Sequence, residues 1–271
     1  MIIIQKTLKY YKSAGLKKTL IKILTYILNI VLLKNYKQNK LKKEILSEDS
    51  IEERFSKIYN YNYWFSDESR SGTGSDLANT KNIRKHLPLI VKRFNIESIF
   101  DAPCGDLNWM YYVLKNMDIS YHGSDIVKKI VDSNNDKFKN NKIKFSKKNI
   151  ITEKLPNYDL MICRDCLFHF SYKDIFLFMN NFISSKIKYL LTTSHVNNIN
   201  DFKNKNILTG DYRLLDLFSE PFNFEKNYLY IFDDRDYLEV KNVKQMYLFS
   251  RIELEKSVKK LNTQKFISEG F

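Results

Sequence analysis

Carboxylates, imidazoles and an arginine recur in this chain directly after short apolar runs, and that placement is the first pointer to chemistry. "SIFDAPCGD" sets Asp101 at the end of such a run and Gly105 in the turn that follows. "YHGSD" ends in Asp125, and "KKNI" brings Asn149 after the next run. "DLMICRD" ends in Arg164 and Asp165, with His169 four residues later, and "TTSH" ends in His195. An acid about 20 residues beyond a first strand-to-helix turn suits a ribose, because one carboxylate accepts hydrogen bonds from both hydroxyls. A glycine in the turn leaves open the space that a Cβ would fill, so a ligand can approach the backbone. "DAPCGD" lacks the G-x-G-x-x-G run, so a cofactor without phosphates fits better than a dinucleotide. His169 is the first candidate for taking a proton from an acceptor, since imidazole titrates near neutrality. Asp165 and His195 are the alternates.

The elements that must position these groups follow from hydrophobic patterning. Apolar runs fall at 98–102, 121–125, 142–146, 159–164, 189–194, 228–233 and 245–250, with helical stretches between the early ones. Strands alternating with helices predict a Rossmann-like α/β fold, a mostly parallel sheet covered on both faces. Ligands then sit outside the carboxyl ends of the strands, where the polar groups gather. Residues 76–94 read as a helix, and "IEERFSKIYNYNYWFSDESRSGTGSD" as a short helix running into a Ser/Gly loop that holds Gly72, Gly74 and Ser75.

The net charge of +14 is unevenly distributed. Residues 1–43 carry eleven Lys and no Asp, Glu or Arg, whereas residues 44–271 carry 34 basic and 31 acidic residues. The nearly balanced body argues against a nucleic-acid partner, which would need positive charge spread over a binding face. In "LKKTLIKILTYILNIVLLKNYK" the polar residues Lys18, Lys22, Thr25 and Asn29 form a helical stripe, with apolar residues between them. The least polar part, Leu20 to Leu33, falls short of the roughly 20 residues a spanning helix needs. Two readings stand: a helix that packs on its own domain or on a second subunit, and an interfacial helix whose lysines meet an anionic membrane. Residues 36–50 read as a linker, so the expected division is an arm at 1–50 and a domain at 51–271. Three cysteines give no disulfide framework and fit a reducing cytoplasm, with the arm bringing the chain at most to the inner membrane face.

"SIFDAPCGDLNWM", "YHGSDIV", "DLMICRDCLFHF" and "YLLTTSH" resemble successive motifs of the class I S-adenosylmethionine-dependent methyltransferases. They are similar in particular to a bacterial subgroup whose first motif reads D-x-P-C-G-D-x-x-W and which accompanies surface-glycan biosynthesis. "ESRSGTGS" and "TGDYRLLDLFSEPFNF" also look like that subgroup, so the resemblance covers roughly residues 55–250. Pro103 and Asp106 depart from the commoner glycine-rich first motif. The resemblance implies seven strands in the order 3-2-1-4-5-7-6, the last antiparallel, and S-adenosylmethionine as cofactor, released as S-adenosylhomocysteine. It further implies that Asp101 with Ala102, Pro103, Cys104 and Gly105 holds the methionine end. Asp125 would take the ribose, Ile126 would cover the adenine and Asn149 would meet its amino edge. Arg164 would line the methionine portion, and the loop Gly72–Ser75 would close over the cofactor. The acceptor it implies is an oxygen of a sugar, sugar nucleotide or capsule or lipopolysaccharide substituent, phosphate-like groups included. Tyr212 and Arg213 are the candidates to bind it.

Plainer readings compete for several of these residues. His169 lies among apolar neighbours and would also suit a buried structural histidine; His195 is comparable, and His86 and His122 rank below both as candidates for chemistry. Cys163 and Cys166 form a C-x-x-C across a buried run, without the second pair that zinc requires, so no metal is expected there. Asp106 suits a helix N-cap, and Trp64 and Trp109 suit packing or, alternatively, a wall of the cofactor pocket. Arg213 would serve either an internal salt bridge or an anionic acceptor. "FDDRD" at 232–236 reads as a metal cluster or, better, a solvated turn. Other functions to weigh are methylation of a lipid-like or quinone acceptor at the membrane, and a scaffold that keeps the fold without turnover; oligomerisation fits either.

Overall fold

The computed structural model describes residues 2–196, 202–235 and 243–261. The chain divides into two compact units, residues 1–47 and 48–271. The first is a helix, α1 (Ile2–Leu46), broken only at Gly15, whose φ of 76° is non-helical. It continues through residues 36–46, where a linker was expected. That stretch has neither Gly nor Pro and is rich in Lys, Leu and Gln, good helix formers. Among the described residues no helix is long and apolar enough to cross a membrane.

The second unit is built on a seven-stranded sheet in the order β3-β2-β1-β4-β5-β7-β6. Its strands are β1 (Ser98–Asp101), β2 (Ser120–Asp125), β3 (Ile143–Lys147), β4 (Leu160–Cys163), β5 (Tyr189–Val196), β6 (Tyr230–Asp233) and β7 (Val243–Ser250). All seven predicted runs became strands. The first five pair in parallel, and β7 runs antiparallel between β5 and β6. The runs lack polar alternation because successive side chains enter different cores. Phe100, Met161, Leu190 and Phe249 pack on one face; Ile99, Leu160, Leu191 and Leu248 pack on the other.

Helices α2 (Ile51–Asn60), α3 (Lys81–Arg93), α4 (Met110–Leu114), α5 (Lys128–Phe138), α6 (Tyr172–Ile183) and α7 (Arg251–Lys260) complete the unit. Several starts are legible. Ser50 and Glu53 form a capping box on α2, and Ser171 and Ser250 cap α6 and α7. One expected helix does not form: residues 148–159 join β3 to β4 without one. Asn149 Oδ1 instead accepts the Ile151 amide, a local turn bond that competes with helix.

At the amino end of the sheet Asp159 ties three strands together. Its Oδ2 accepts the Glu97 amide (3.0 Å), the Ser98 amide (3.1 Å) and Ser98 Oγ (2.9 Å), while Oδ1 accepts Lys188 Nζ (2.7 Å). Partial burial disfavours its charge, but the bonds from Lys188, Glu97 and Ser98 prevail and hold the carboxyl below its ordinary range. Losing these bonds in Asp159→Ala is expected to cost about 1–3 kcal/mol, read from urea unfolding at pH 7. A depressed folded pKa means that this stability is present above the unfolded value of roughly 4. It fades as pH falls through the lower folded value, so wild type and Asp159→Asn should converge in acid.

Candidate functional site

The parallel strands deliver their polar ends to one side. Asp101 closes β1 and Asp125 closes β2, with Asp101 in register with Gly123. Both carboxylates are buried and line one cavity. Asp101 Oδ2 accepts the Tyr121 hydroxyl at 2.7 Å. Burial nonetheless pushes its pKa up to about 7, against the lowering influence of Tyr121 and Arg164. Asp125 takes the Val127 amide on Oδ1 (3.0 Å) and the Gly105 amide on Oδ2 (3.2 Å). Burial still raises it, to about 6. Two buried carboxylates so destabilised are suited to a cationic, hydroxyl-bearing guest.

The turn after β1 is fixed from both sides. The Cys104 amide donates to the Ser124 carbonyl (2.8 Å), and Asn134 Nδ2 donates to the Gly105 carbonyl (2.8 Å). Gly105 has a φ of 57°, and a Cβ there would clash with Ser71. The glycine therefore admits the Ser/Gly loop, a partner that lies within the chain itself. Asp106 is no helix cap, since α4 begins at Met110. Its carboxylate accepts Ser69 Oγ (2.9 Å) and the Arg70 amide (2.8 Å), and its own amide donates to Ser71 Oγ (2.9 Å). That clasp lays the loop along the first cavity, which Ser75 lines, and along a second, which Gly72 and Gly74 line.

Ala102, Pro103, Cys104, Ile126, Asn149 and Arg164 also line the first cavity, as do Trp64 and Trp109. The second is lined by His195, Tyr212, Arg235 and Lys244. Trp64, Asp165 and His169 face both. Arg213 lines neither: its Nη1 donates to the carbonyls of Phe168 (3.2 Å) and Phe170 (2.7 Å), while its Nε and Nη2 are buried without a hydrogen-bond partner.

The two histidines are opposite tautomers. His169 Nδ1 lies 2.8 Å from the Asp211 carbonyl, which only accepts, so Nδ1 carries the proton and Nε2 keeps its lone pair. The Leu215 amide, which only donates, meets His195 Nδ1 at 3.2 Å, so the His195 proton is on Nε2. Burial pushes the pKa of each down to about 4, which keeps both rings neutral at pH 7 but leaves His169 a weaker base than the near-neutral imidazole expected from the sequence. His169 stacks on Trp64 with ring centroids 5.1 Å apart.

A buried ionic cluster supports the second cavity. Arg164 donates Nε and Nη2 to the two oxygens of Asp234, each at 2.8 Å, and Nη1 to the Gly74 carbonyl at 3.0 Å. Lys244 Nζ meets Asp165 at 2.6 Å and Asp234 at 2.8 Å. Burial works against the Asp165 charge, but Arg164 and Lys244 hold its carboxyl well below the ordinary range, which removes most of its strength as a base. Arg164 is thus committed within the protein although it borders the first cavity. Asp234, fully buried in an ion pair, is neither a metal ligand nor a solvated turn residue. Among the described residues no group of three or more His, Cys, Asp or Glu could hold a metal; Asp236 lies outside them. Cys163 and Cys166 are buried free thiols.

Sequence reasoning missed Asp234, Arg235 and Lys244. A lysine inside the apolar run of β7, buried in the sheet, was the available signal.

No protein-family model and no curated protein matches the chain. Solved structures do. Magnesium protoporphyrin IX methyltransferase from Synechocystis PCC 6803, crystallised with bound SAM, aligns over 76% of this chain and 99% of its own, with a TM-score of 0.52 at 12% identity. The methyltransferase domain of bacterial CtHen1 aligns over 64% of this chain and 99% of its own, with a TM-score of 0.48 at 14% identity. The strand order and the likeness to the Synechocystis enzyme give the second unit a Rossmann-like class I methyltransferase fold.

Proposed function

We propose that the chain is an S-adenosylmethionine-dependent methyltransferase acting on an oxygen of a sugar, sugar nucleotide or surface-glycan substituent. The observation that carries this reading is the pair of buried carboxylates, Asp101 and Asp125, in one cavity that shares Trp64 and His169 with a second. The residues fit the cofactor: an ammonium suits Asp101, the ribose hydroxyls suit Asp125, and Ile126 and Asn149 suit the base. S-adenosylmethionine, when bound, supplies a methyl group activated by a sulfonium. Residues of the second cavity hold the acceptor, Tyr212 among them, and His169 Nε2 takes the acceptor proton. The Asp211 carbonyl fixes the ring for that role. Carboxylate, loop and imidazole together align the reactants, which is the larger part of catalysis for a direct displacement.

Titration of the full chain with S-adenosylhomocysteine, followed by calorimetry, tests the cofactor reading. Asp125→Ala is expected to weaken binding about 10–100-fold, the loss of hydrogen bonds to a charged group. Wild-type affinity should rise with pH through about 7, because Asp101 must give up its proton to meet an ammonium. Asp101→Asn should flatten that slope. Wild-type binding that is absent, or equal affinity in Asp125→Ala, would overturn the reading.

His169→Gln should lower kcat for a hydroxyl acceptor by roughly 10²–10⁴ while leaving S-adenosylhomocysteine affinity intact. Loss of cofactor binding in that variant would make His169 a packing residue instead.

The arm is read as a peripheral membrane contact, where such glycans are assembled. Its eleven lysines without an acid through residue 43 support attraction to anionic headgroups. The full chain should sediment with vesicles containing phosphatidylglycerol but not with neutral ones, and a chain lacking residues 1–43 with neither.

A further inference from the structure

Among the described residues, the charge cluster at the second cavity holds three cations and two carboxylates. Lys244 and Arg235 line the cavity, and Arg164, which borders the first cavity, shares their cluster through Asp234. Arg164 is held by Asp234, and Lys244 by Asp165 and Asp234. Among the described residues Arg235 has no carboxylate at ion-pair distance, and its Nε is buried without a hydrogen-bond partner. It lines the cavity that His169 and His195 also line. His195 adds a neutral donor, through the proton its tautomer places on Nε2. The Arg235 side chain is partly exposed, but a buried Nε–H without an acceptor costs free energy, and a neutral sugar ring would relieve that only in part. An oxyanion would complete it with two short, charge-assisted bonds matched to the planar fork.

We propose that Arg235 is a specificity-determining residue that binds a phosphate or carboxylate carried by the methyl acceptor. The acceptor class is then an anionic hydroxyl compound, with its charge at Arg235 and its hydroxyl at His169 Nε2. This rests on the cofactor reading of the first cavity. The neutral alternatives, a quinone or an unsubstituted sugar, leave Arg235 without a partner.

The test uses the full chain saturated with S-adenosylhomocysteine, whose binding is measured first. If it does not bind, the cofactor reading falls, before any acceptor probe is added. Inorganic phosphate, acetate and glucose are then titrated separately by calorimetry. Phosphate or acetate should bind saturably and glucose at least about tenfold more weakly, and the tighter of the two identifies the oxyanion. Arg235→Gln should weaken that oxyanion about tenfold or more, with S-adenosylhomocysteine affinity unchanged as evidence of folding. Arg235→Lys should retain part of the affinity, and added salt should weaken the wild type. Glucose binding as tightly as the anions, neither anion binding, or an Arg235→Gln chain that binds them like wild type would each overturn the proposal.

Discussion

The geometry beyond the strand tips depends on a balanced set of buried charges. Arg164 and Asp165 leave the end of β4, Asp234 leaves β6, and Lys244 stands in β7. Two cations and two carboxylates cancel within a few ångströms, which is the condition under which such charges tolerate burial. Removing one member would strand the others, at a cost of about 3–5 kcal/mol. The same cluster fixes local shape. Asp165 is held at a φ of 52°, its amide donating to Thr193 Oγ1. Arg164 reaches the Gly74 carbonyl and so secures the Ser/Gly loop. Strand ends, loop and both cavities are therefore coupled through one electrostatic arrangement.

Division of labour between the histidines follows from backbone alone. A carbonyl opposite one Nδ1 and an amide opposite the other assign the protons in opposite senses. Two residues of the same type, His169 in the turn after β4 and His195 in β5, thereby present a lone pair and an N–H on their Nε2 atoms. Burial keeps both rings neutral at physiological pH, so neither adds a further cation to the second cavity.

Much of the fold was legible. Seven apolar runs became seven strands because both sheet faces are covered, and Asp101 and Asp125 share a cavity because parallel strands end on one side. The ionic cluster was not legible, since Lys244 and Asp234 are brought to Arg164 and Asp165 by a sheet order that returns β7 beside β5. The carbonyl partners of Arg213 were hidden for a related reason: those of Phe168 and Phe170 have no side-chain signature. Gly105 lines the first cavity as expected, but the space its missing Cβ leaves is taken by Ser71, more than 30 positions earlier. Local spacing reports strands and caps well; it says little about which loop folds back on which turn.

Gly74 illustrates how such a site could diversify. A methyl group there would sit 2.5 Å from Asp165 Oδ2, inside the charge cluster rather than at its rim. That position is closed to change unless the cluster rearranges. Tyr212, by contrast, borders the same cavity with 55% of its surface open to solvent. Drift in acceptor preference, natural or engineered, would therefore be channelled through the aromatic lip of the cavity, while the glycine floor stays frozen.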